Sequence, residues 1–91
     1  MIVEEEKRHV YKGESGNVLG EITFVPVGKT KIIIDHTHVL EEEKGKGIAK
    51  ELVYSVVKRM EQENKLILPL CPFAKLEFEK NPDYQKLLAQ K

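Results

Sequence analysis

The first half of the chain alternates apolar and polar residues in three short runs, a pattern typical of strands that bury one face. The runs cover residues 8–13, 18–28 and 29–40, and turn-forming residues such as glycine and asparagine separate them. Because short turns let consecutive strands pair directly, the pattern predicts an antiparallel meander.

The alternation also predicts which residues share a face of each strand. In the second run, one face carries small or apolar residues: Val18, Gly20, Ile22 and Phe24. In the third run, strict alternation groups two isoleucines with two histidines: Ile32, Ile34, His36 and His38. The opposite face of the third run holds Ile33, Asp35, Thr37 and Val39. Pro26 has no N–H to donate to a ladder, so we expect the second strand to end or bulge there.

The period of the apolar residues lengthens after Gly47, and the new spacing is typical of a helix. One stripe recurs at every fourth residue: Ile48, Leu52, Val56 and Met60. Three further apolar residues widen this stripe: Ala49, Val53 and Val57. The pattern predicts an amphipathic helix of roughly four to five turns. Asn64 is suited to cap its C-terminus.

The C-terminal third predicts one strand and two short helices. The sequence "LILPL", residues 66–70, is typical of a short buried strand that Pro69 ends. Pro72 and Pro82 each suit the first position of a helix, and they open "PFAKLEFEK" and "PDYQKLLAQK". The order of elements predicts an α/β (α+β) fold, with one mostly antiparallel sheet and one long helix after the third strand.

Composition narrows the class of protein. At 91 residues, the chain is expected to form a single domain over residues 1–91. Its 15 basic and 15 acidic residues cancel, so charge gives no reason to expect nucleic acid or an anionic membrane as a partner. No apolar run is long enough to span a bilayer, and a single cysteine excludes an intramolecular disulfide framework. We therefore expect a cytoplasmic monomer.

The candidate chemistry lies in "EEEKGKGIAKELV", residues 41–53, where two glycines and two lysines precede the long helix. A helix N-terminus offers unpaired N–H groups and a partial positive charge. Gly45 and Gly47 would let an anion approach the backbone, which favours a pyrophosphate site. The segment matches neither a P-loop nor a dinucleotide fingerprint, since Lys50 stands where the latter has its third glycine. The alternative is a flexible turn before a solvated helix.

The segment "EKGKGIAKELV" resembles the acetyl-CoA loop of the GNAT superfamily of N-acetyltransferases, with Lys44 in place of the usual arginine or glutamine. The resemblance extends over "DHTHVLEEEKGKGIAKELV" and "LPLCPFAKLEFEKNPDYQKLL". These segments are similar to a very short GNAT subfamily, in which His-Thr-x-Val precedes the loop and Cys-Pro-Phe follows the next strand.

The resemblance implies that acetyl-CoA is a co-substrate and that its pyrophosphate lies on the loop. The pantetheine arm would pair with the third strand, from which "LILPL" would splay. The implied cofactor-binding residues are Val39, Leu40, Lys44, Gly45, Lys46, Gly47, Ile48 and Ala49. We expect the side chains of residues 41–43 to point away from the phosphates.

The chain departs from the longer GNAT pattern on the acceptor side. Only a turn follows its first predicted strand, where longer members have two helices, so the acceptor site is open and the acceptor amine is unidentified. The family's Asn-x-x-Ala motif is matched only by the residues 71–74, "CPFA". Phe78 lies near the position of the tyrosine that protonates the thiolate in many members, and it cannot act as an acid.

Three residues are therefore candidates for the catalytic chemistry. Cys71 at a helix N-terminus is a candidate nucleophile or proton donor, although a small buried residue is an equal interpretation. His36 is a candidate general base, although both strand histidines could simply line the sheet. Tyr84 is a candidate substitute acid, although packing of the last helix explains it as well. A metal site that combines His36 and His38 with Cys71 is a weaker alternative.

Two functions from different classes remain open at this point, beside a third class, a small protein-interaction domain that would bind no ligand. The first is a minimal N-acetyltransferase that transfers acetyl from acetyl-CoA to an amine. The second is a CoA-binding sensor or adaptor module without turnover. Binding of acetyl-CoA without transfer to any amine would distinguish the second from the first.

Overall fold

The computed structural model describes residues 1–89, which form one five-stranded sheet with helices on one side. The strands are β1 (Ile2–Glu4), β2 (Arg8–Lys12), β3 (Val18–Val27), β4 (Lys31–Val39) and β5 (Leu66–Pro69). They lie in chain order; β1 to β4 pair antiparallel, and β5 pairs parallel to β4. The predicted meander is confirmed. The sequence analysis missed β1, whose three residues are too few for alternation to be recognised.

The helices follow the predicted order. The long helix α1 covers Ile48–Glu63, and Asn64 ends it in the left-handed conformation, as predicted. The C-terminal helices are α2, Pro72–Lys80, and a 3₁₀ helix, Pro82–Leu87. The second is shorter than "PDYQKLLAQK", because Leu88 bridges to β5; residues 90 and 91 lie outside the described part of the chain.

A single core lies between the sheet and the helices. It contains the apolar stripe of α1 and the inward residues of β3, β4 and α2, among them Ile22, Phe24, Ile34, Leu52, Val56 and Phe78. Fully burying a side chain of this size stabilises the fold by about 1.5–3 kcal/mol. The packing fixes the starts of α1 and α2 against the sheet.

An irregularity in β4 reverses the faces of that strand. Thr23 of β3 pairs with His36 and Phe24 pairs with Ile34, so Asp35 is left without a partner as a bulge. The Thr23 hydroxyl donates a 2.6 Å hydrogen bond to the Asp35 carboxylate at this point. Beyond the bulge, the alternation of side chains is shifted by one residue.

The shift corrects the prediction for the two histidines. Ile32 and Ile34 are buried under the helices, whereas His36 and His38 are exposed on the opposite face. Thr37 and Val39 instead follow the isoleucines on the helix side. Strict alternation was wrong here because an extra residue in one strand cannot be seen in the period of the apolar positions.

Strands β4 and β5 separate halfway along β4. Their ladder ends where Ile34 pairs with Pro69, and the N–H groups of Leu70 and Cys71 both donate to the Ile34 carbonyl. From that point β5 leads into α2, while β4 continues to Val39. Within residues 1–89, the edge of β4 from Asp35 to Val39 is therefore unpaired, as the splayed arrangement implied by the resemblance requires.

Candidate functional site

A cavity of about 430 Å³ opens between the free edge of β4 and the starts of α1 and α2. Its lining comes from four elements of the sequence: Thr37, Val39, Glu43, Lys44, Gly45, Gly47, Ile48, Ala49, Lys50 and Phe73. Of the predicted binding residues, only Leu40 and Lys46 are outside this lining. The lining also includes four residues that were not predicted to bind the ligand: Thr37, Glu43, Lys50 and Phe73.

The loop before α1 lines the cavity with the backbone of Gly45 and Gly47. Gly45 and Gly47 have φ values of 85° and 84°, in the left-handed region that favours glycine. The first helical hydrogen bond is donated by Glu51 to the Gly47 carbonyl. In the described chain, the N–H groups of residues 45–50 donate to no backbone carbonyl. Consecutive free N–H groups of this kind form a concave anion site.

The lysines of the loop are partly neutralised by its own glutamates. Lys44 Nζ lies 3.2 Å from Glu41 Oε1, and Lys46 Nζ lies 3.1 Å from Glu43 Oε1. The side chain of Glu43 is only 20% exposed and lines the cavity. The expectation that all three glutamates point away was therefore wrong for Glu43, because a 3₁₀ turn at 41–43 rotates it inward.

Two residues missed by the sequence analysis stand at the helix starts. Lys50 lies in the first turn of α1 and Phe73 in the first turn of α2. Their proximity to the loop depends on how α1 and α2 pack together, which no local pattern encodes. For Lys50, the spacing of three residues after Gly47 was the one available signal, since it places the side chain in the first helical turn.

At the unpaired edge of β4, the backbone N–H of Val39 points toward the cavity. The N–H of Leu40 donates to the Leu19 carbonyl of β3 at 2.9 Å. Because successive N–H groups of a strand point to opposite edges, the N–H of Val39 points toward the gap left by β5. Thr37, two residues earlier, has the same orientation. This edge can accept an extended ligand as an additional strand.

Cys71 is buried at the N-cap of α2, directly beside the cavity lining. Its Sγ lies 3.3 Å from the Thr37 hydroxyl, and only 5% of the residue is exposed. The side chain makes no hydrogen bond to the N–H groups of α2, so the expected interaction with the helix start is absent. The thiol instead interacts with Thr37, which does line the cavity.

The other two catalytic candidates lie apart from Cys71. His36 is on the sheet face away from the helices, opposite the core. Tyr84 packs on Phe78, with ring centroids 5.4 Å apart, and burial raises the pKa of its phenol. Neither residue lines the cavity. The structure therefore brings Cys71 and Thr37 together but does not assemble the three candidates into one site.

Residues 1–89 contain neither a metal-binding cluster nor a membrane-spanning helix. No group of three or more histidine, cysteine, aspartate or glutamate side chains is placed to hold a metal ion in that range. His36 and His38 face away from Cys71, which removes the geometry of the alternative metal site. No helix in the same range is long and apolar enough to cross a membrane.

The sequence matches a known family over most of its length. Residues 8–87 match the family model described as GCN5-related N-acetyl-transferase. Among curated proteins, none matches this sequence significantly.

Solved structures share the fold. A GCN5-like protein from Staphylococcus aureus, solved by NMR, is 34% identical, with a TM-score of 0.79 over 100% of this chain and 89% of the other. The GNAT family protein YhbS from Escherichia coli, in complex with CoA, is 25% identical, with a TM-score of 0.65 over 69% of this chain and 38% of its own. Rv2747 from Mycobacterium tuberculosis, also with CoA, has a TM-score of 0.68 at 17% identity and matches over 46% of its length. This chain thus spans less than half of the latter two proteins.

Proposed function

Because this chain belongs to the GCN5-related N-acetyltransferases, an acyltransferase family, we propose that it binds acetyl-CoA and transfers the acetyl group to an amine. The bound CoA in the Escherichia coli and Mycobacterium tuberculosis structures supports the choice of co-substrate.

The proposal depends chiefly on the free N–H groups of residues 45–50, which meet the free edge of β4 at one cavity. Amide groups at a helix start suit a pyrophosphate, and an exposed strand edge suits the amide-containing pantetheine arm. A plain solvated turn would require neither the two left-handed glycines nor the separated strands.

The chain's own groups would then act on the thioester at the edge of β4. The Val39 N–H points into the gap, where it can stabilise the negative charge that develops on the thioester oxygen. As the neutral amine attacks, its nitrogen bonds to the acetyl carbon and the carbon–sulfur bond breaks. The nitrogen releases a proton to solvent, and the departing thiolate takes one from an acid.

We assign the acid to the pair of Cys71 and Thr37. The thiol lies 3.3 Å from a hydroxyl that lines the cavity, so a proton has a short path to the departing sulfur. Cys71 could also attack the thioester first, with the acetyl group passing to its sulfur and its proton to the CoA thiolate. The positions of His36 and Tyr84 outside the cavity make them weaker candidates.

The free N–H groups of residues 45–50 form the proposed pyrophosphate cradle. The affinity for acetyl-CoA tests this cradle directly. Gly47→Glu adds bulk and negative charge where the backbone must approach the pyrophosphate, so affinity should fall by at least about tenfold. Gly28→Glu is the matched control, since Gly28 also has a positive φ of 64° with open space around it. Gly28 lies in the turn before β4, at the far end of that strand from the loop.

Three outcomes are informative in a calorimetric titration of the folded variants. Loss of affinity in Gly47→Glu but not in Gly28→Glu supports the cradle. Equal affinity in both variants would contradict it. Tight binding by the wild-type chain without transfer to any of a broad panel of amines would instead favour a sensor or adaptor module.

A further inference from the structure

The lining of the cavity includes a lysine and an aromatic ring that the acetyl-transfer step itself does not use. Lys50 is exposed in the first turn of α1, and Phe73 is partly buried in the first turn of α2. Both side chains line the cavity. The starts of the two helices therefore present a cation and a ring to the same ligand space.

Lys50 differs from the loop lysines in its ion pairing. Lys44 and Lys46 are each paired with a glutamate of the loop, at 3.2 Å and 3.1 Å. In residues 1–89, no carboxylate oxygen lies within 4.0 Å of the Lys50 amine. Lys50 is therefore the lining lysine whose charge is available to a ligand.

The position of Lys50 is unfavourable unless it serves an anion. A cation in the first turn of a helix faces the positive end of the helix dipole, at a cost of roughly 0.3–1 kcal/mol. Lys58, by contrast, lies farther along α1 and pairs with Glu61 at 3.0 Å. An anion bound beside Lys50 would reverse the sign of the effect.

We propose that Lys50 and Phe73 recognise the nucleotide end of CoA, with Lys50 pairing the ribose phosphate and Phe73 stacking on the adenine. The assignment rests on the proposed function. The loop amides suffice for the pyrophosphate, which leaves the ribose phosphate as the anion of CoA without a partner. A lysine binds such a phosphate as a point charge, and an aromatic ring contacts a base face without regard to its hydrogen-bonding edge.

Comparison of CoA with dephospho-CoA, which lacks only the ribose phosphate, isolates the role of Lys50. In calorimetry at about 50 mM salt, we expect wild-type protein to prefer CoA by about tenfold or more. Lys50→Met keeps the length and helix propensity of the side chain but removes its charge. The preference should fall below about threefold, while affinity for dephospho-CoA changes little. Lys75→Met is the matched control, because Lys75 is an exposed lysine of α2 that lies outside the cavity.

A second variant tests the ring. Phe73→Leu keeps an apolar side chain but removes the stacking surface, so CoA and dephospho-CoA should both lose about fivefold or more in affinity. Acetyl-pantetheine, which has no nucleotide, should bind this variant as it binds the wild type. An equal loss for acetyl-pantetheine would overturn the assignment of Phe73.

The outcomes separate this inference from the function on which it rests. If CoA binds but Lys50→Met keeps the wild-type preference over dephospho-CoA, Lys50 does not recognise the ribose phosphate. If Lys75→Met abolishes the preference equally, the effect is one of net charge and the assignment is again wrong. If neither ligand binds the wild-type chain, the proposed function fails and this inference fails with it.

Discussion

At the scale of single residues, the proposed proton donation or nucleophilic attack depends on the contact between Cys71 and Thr37. Cys71 is buried, yet its thiol interacts with a hydroxyl that lines the cavity. The bulge at Asp35 makes this contact possible, because without it Thr37 would face the other side of the sheet. A purely structural cysteine would not need a hydroxyl partner on the ligand side.

Cys71→Ser distinguishes a chemical role from packing. A serine keeps the size and the hydrogen bond to Thr37 but has a far higher pKa. If Cys71 is acid or nucleophile, acetyl-CoA should still bind while release of free CoA thiol with an accepting amine slows by about 100-fold. A nucleophile should also leave wild-type protein about 42 Da heavier in intact-mass spectra, as a covalent acetyl intermediate requires.

The opposite result would assign Cys71 to packing. In that case Cys71→Ser should retain turnover in its folded fraction, and its stability should change only modestly because the buried hydroxyl keeps Thr37 as a partner. Thr37→Val provides the matched comparison, since it preserves the shape of the side chain and removes the hydroxyl. Full turnover in both variants would remove this pair from the mechanism.

At the scale of elements, a buried polar contact joins β2 to α1. His9 is fully buried; its Nδ1 lies 2.8 Å from Ser55 Oγ, and its Nε2 lies 3.3 Å from Arg59 Nη1. Since the Ser55 hydroxyl donates to the Leu52 carbonyl, it must accept from the Nδ1–H of His9. Nε2 then accepts from Arg59, so the neutral ring satisfies every partner. A second ring proton would point at a donor.

This contact predicts a loss of stability on mild acidification. Burial is the largest cause, and it lowers the pKa of His9 below its ordinary 6.5. The charge of Glu4 opposes this shift, the charge of Arg59 adds to it, and Glu63 opposes it least. The unfolded chain therefore binds a proton more readily, and the free energy of unfolding falls as pH drops below 6.5. The slope attributable to one group is at most about 1.4 kcal/mol per pH unit.

Urea unfolding at several pH values from about 7.5 to about 5.5 measures how the free energy of unfolding changes with pH. His9→Gln should remove most of the slope, because glutamine does not titrate, even though the variant is less stable at every pH. His38→Gln is the control, since it deletes an exposed imidazole without opening the buried contact. An unchanged slope in His9→Gln would assign the acid sensitivity to other groups.

The elements also show what the sequence could and could not predict. Helix α1 and the buried faces of β3 followed from period alone, because burial enforces the spacing of apolar residues. The bulge at Asp35 did not, since one inserted residue leaves the composition of the strand unchanged. The glycine loop was predicted as an anion site, but the inward Glu43 and the contribution of Phe73 depend on tertiary packing.

At the scale of the whole molecule, the helices cover one face of the sheet, and no other element of residues 1–89 covers the opposite face. His36, His38 and Val25 are exposed on strands β3 and β4. The match with YhbS covers 69% of this chain and 38% of that protein. In a domain of this size, binding of the co-substrate should contribute a large share of the domain's stability.

Thermal unfolding with and without ligand tests this expectation. At a concentration about 100 times its dissociation constant, acetyl-CoA should raise the free energy of unfolding by about 2.7 kcal/mol, since it binds only the folded state. For a domain of this size, that increase corresponds to a rise in Tm of at least about 10 °C. The rise should shrink as salt increases, because the phosphates meet backbone N–H groups and Lys50 at the exposed end of the cavity. Acetyl-pantetheine has no phosphates, so its smaller shift should not depend on salt. If acetyl-CoA and acetyl-pantetheine raised the Tm equally at both low and high salt, the binding energy would come from contacts outside the cradle. A salt-sensitive shift for acetyl-CoA alone would locate that energy at the loop between β4 and α1.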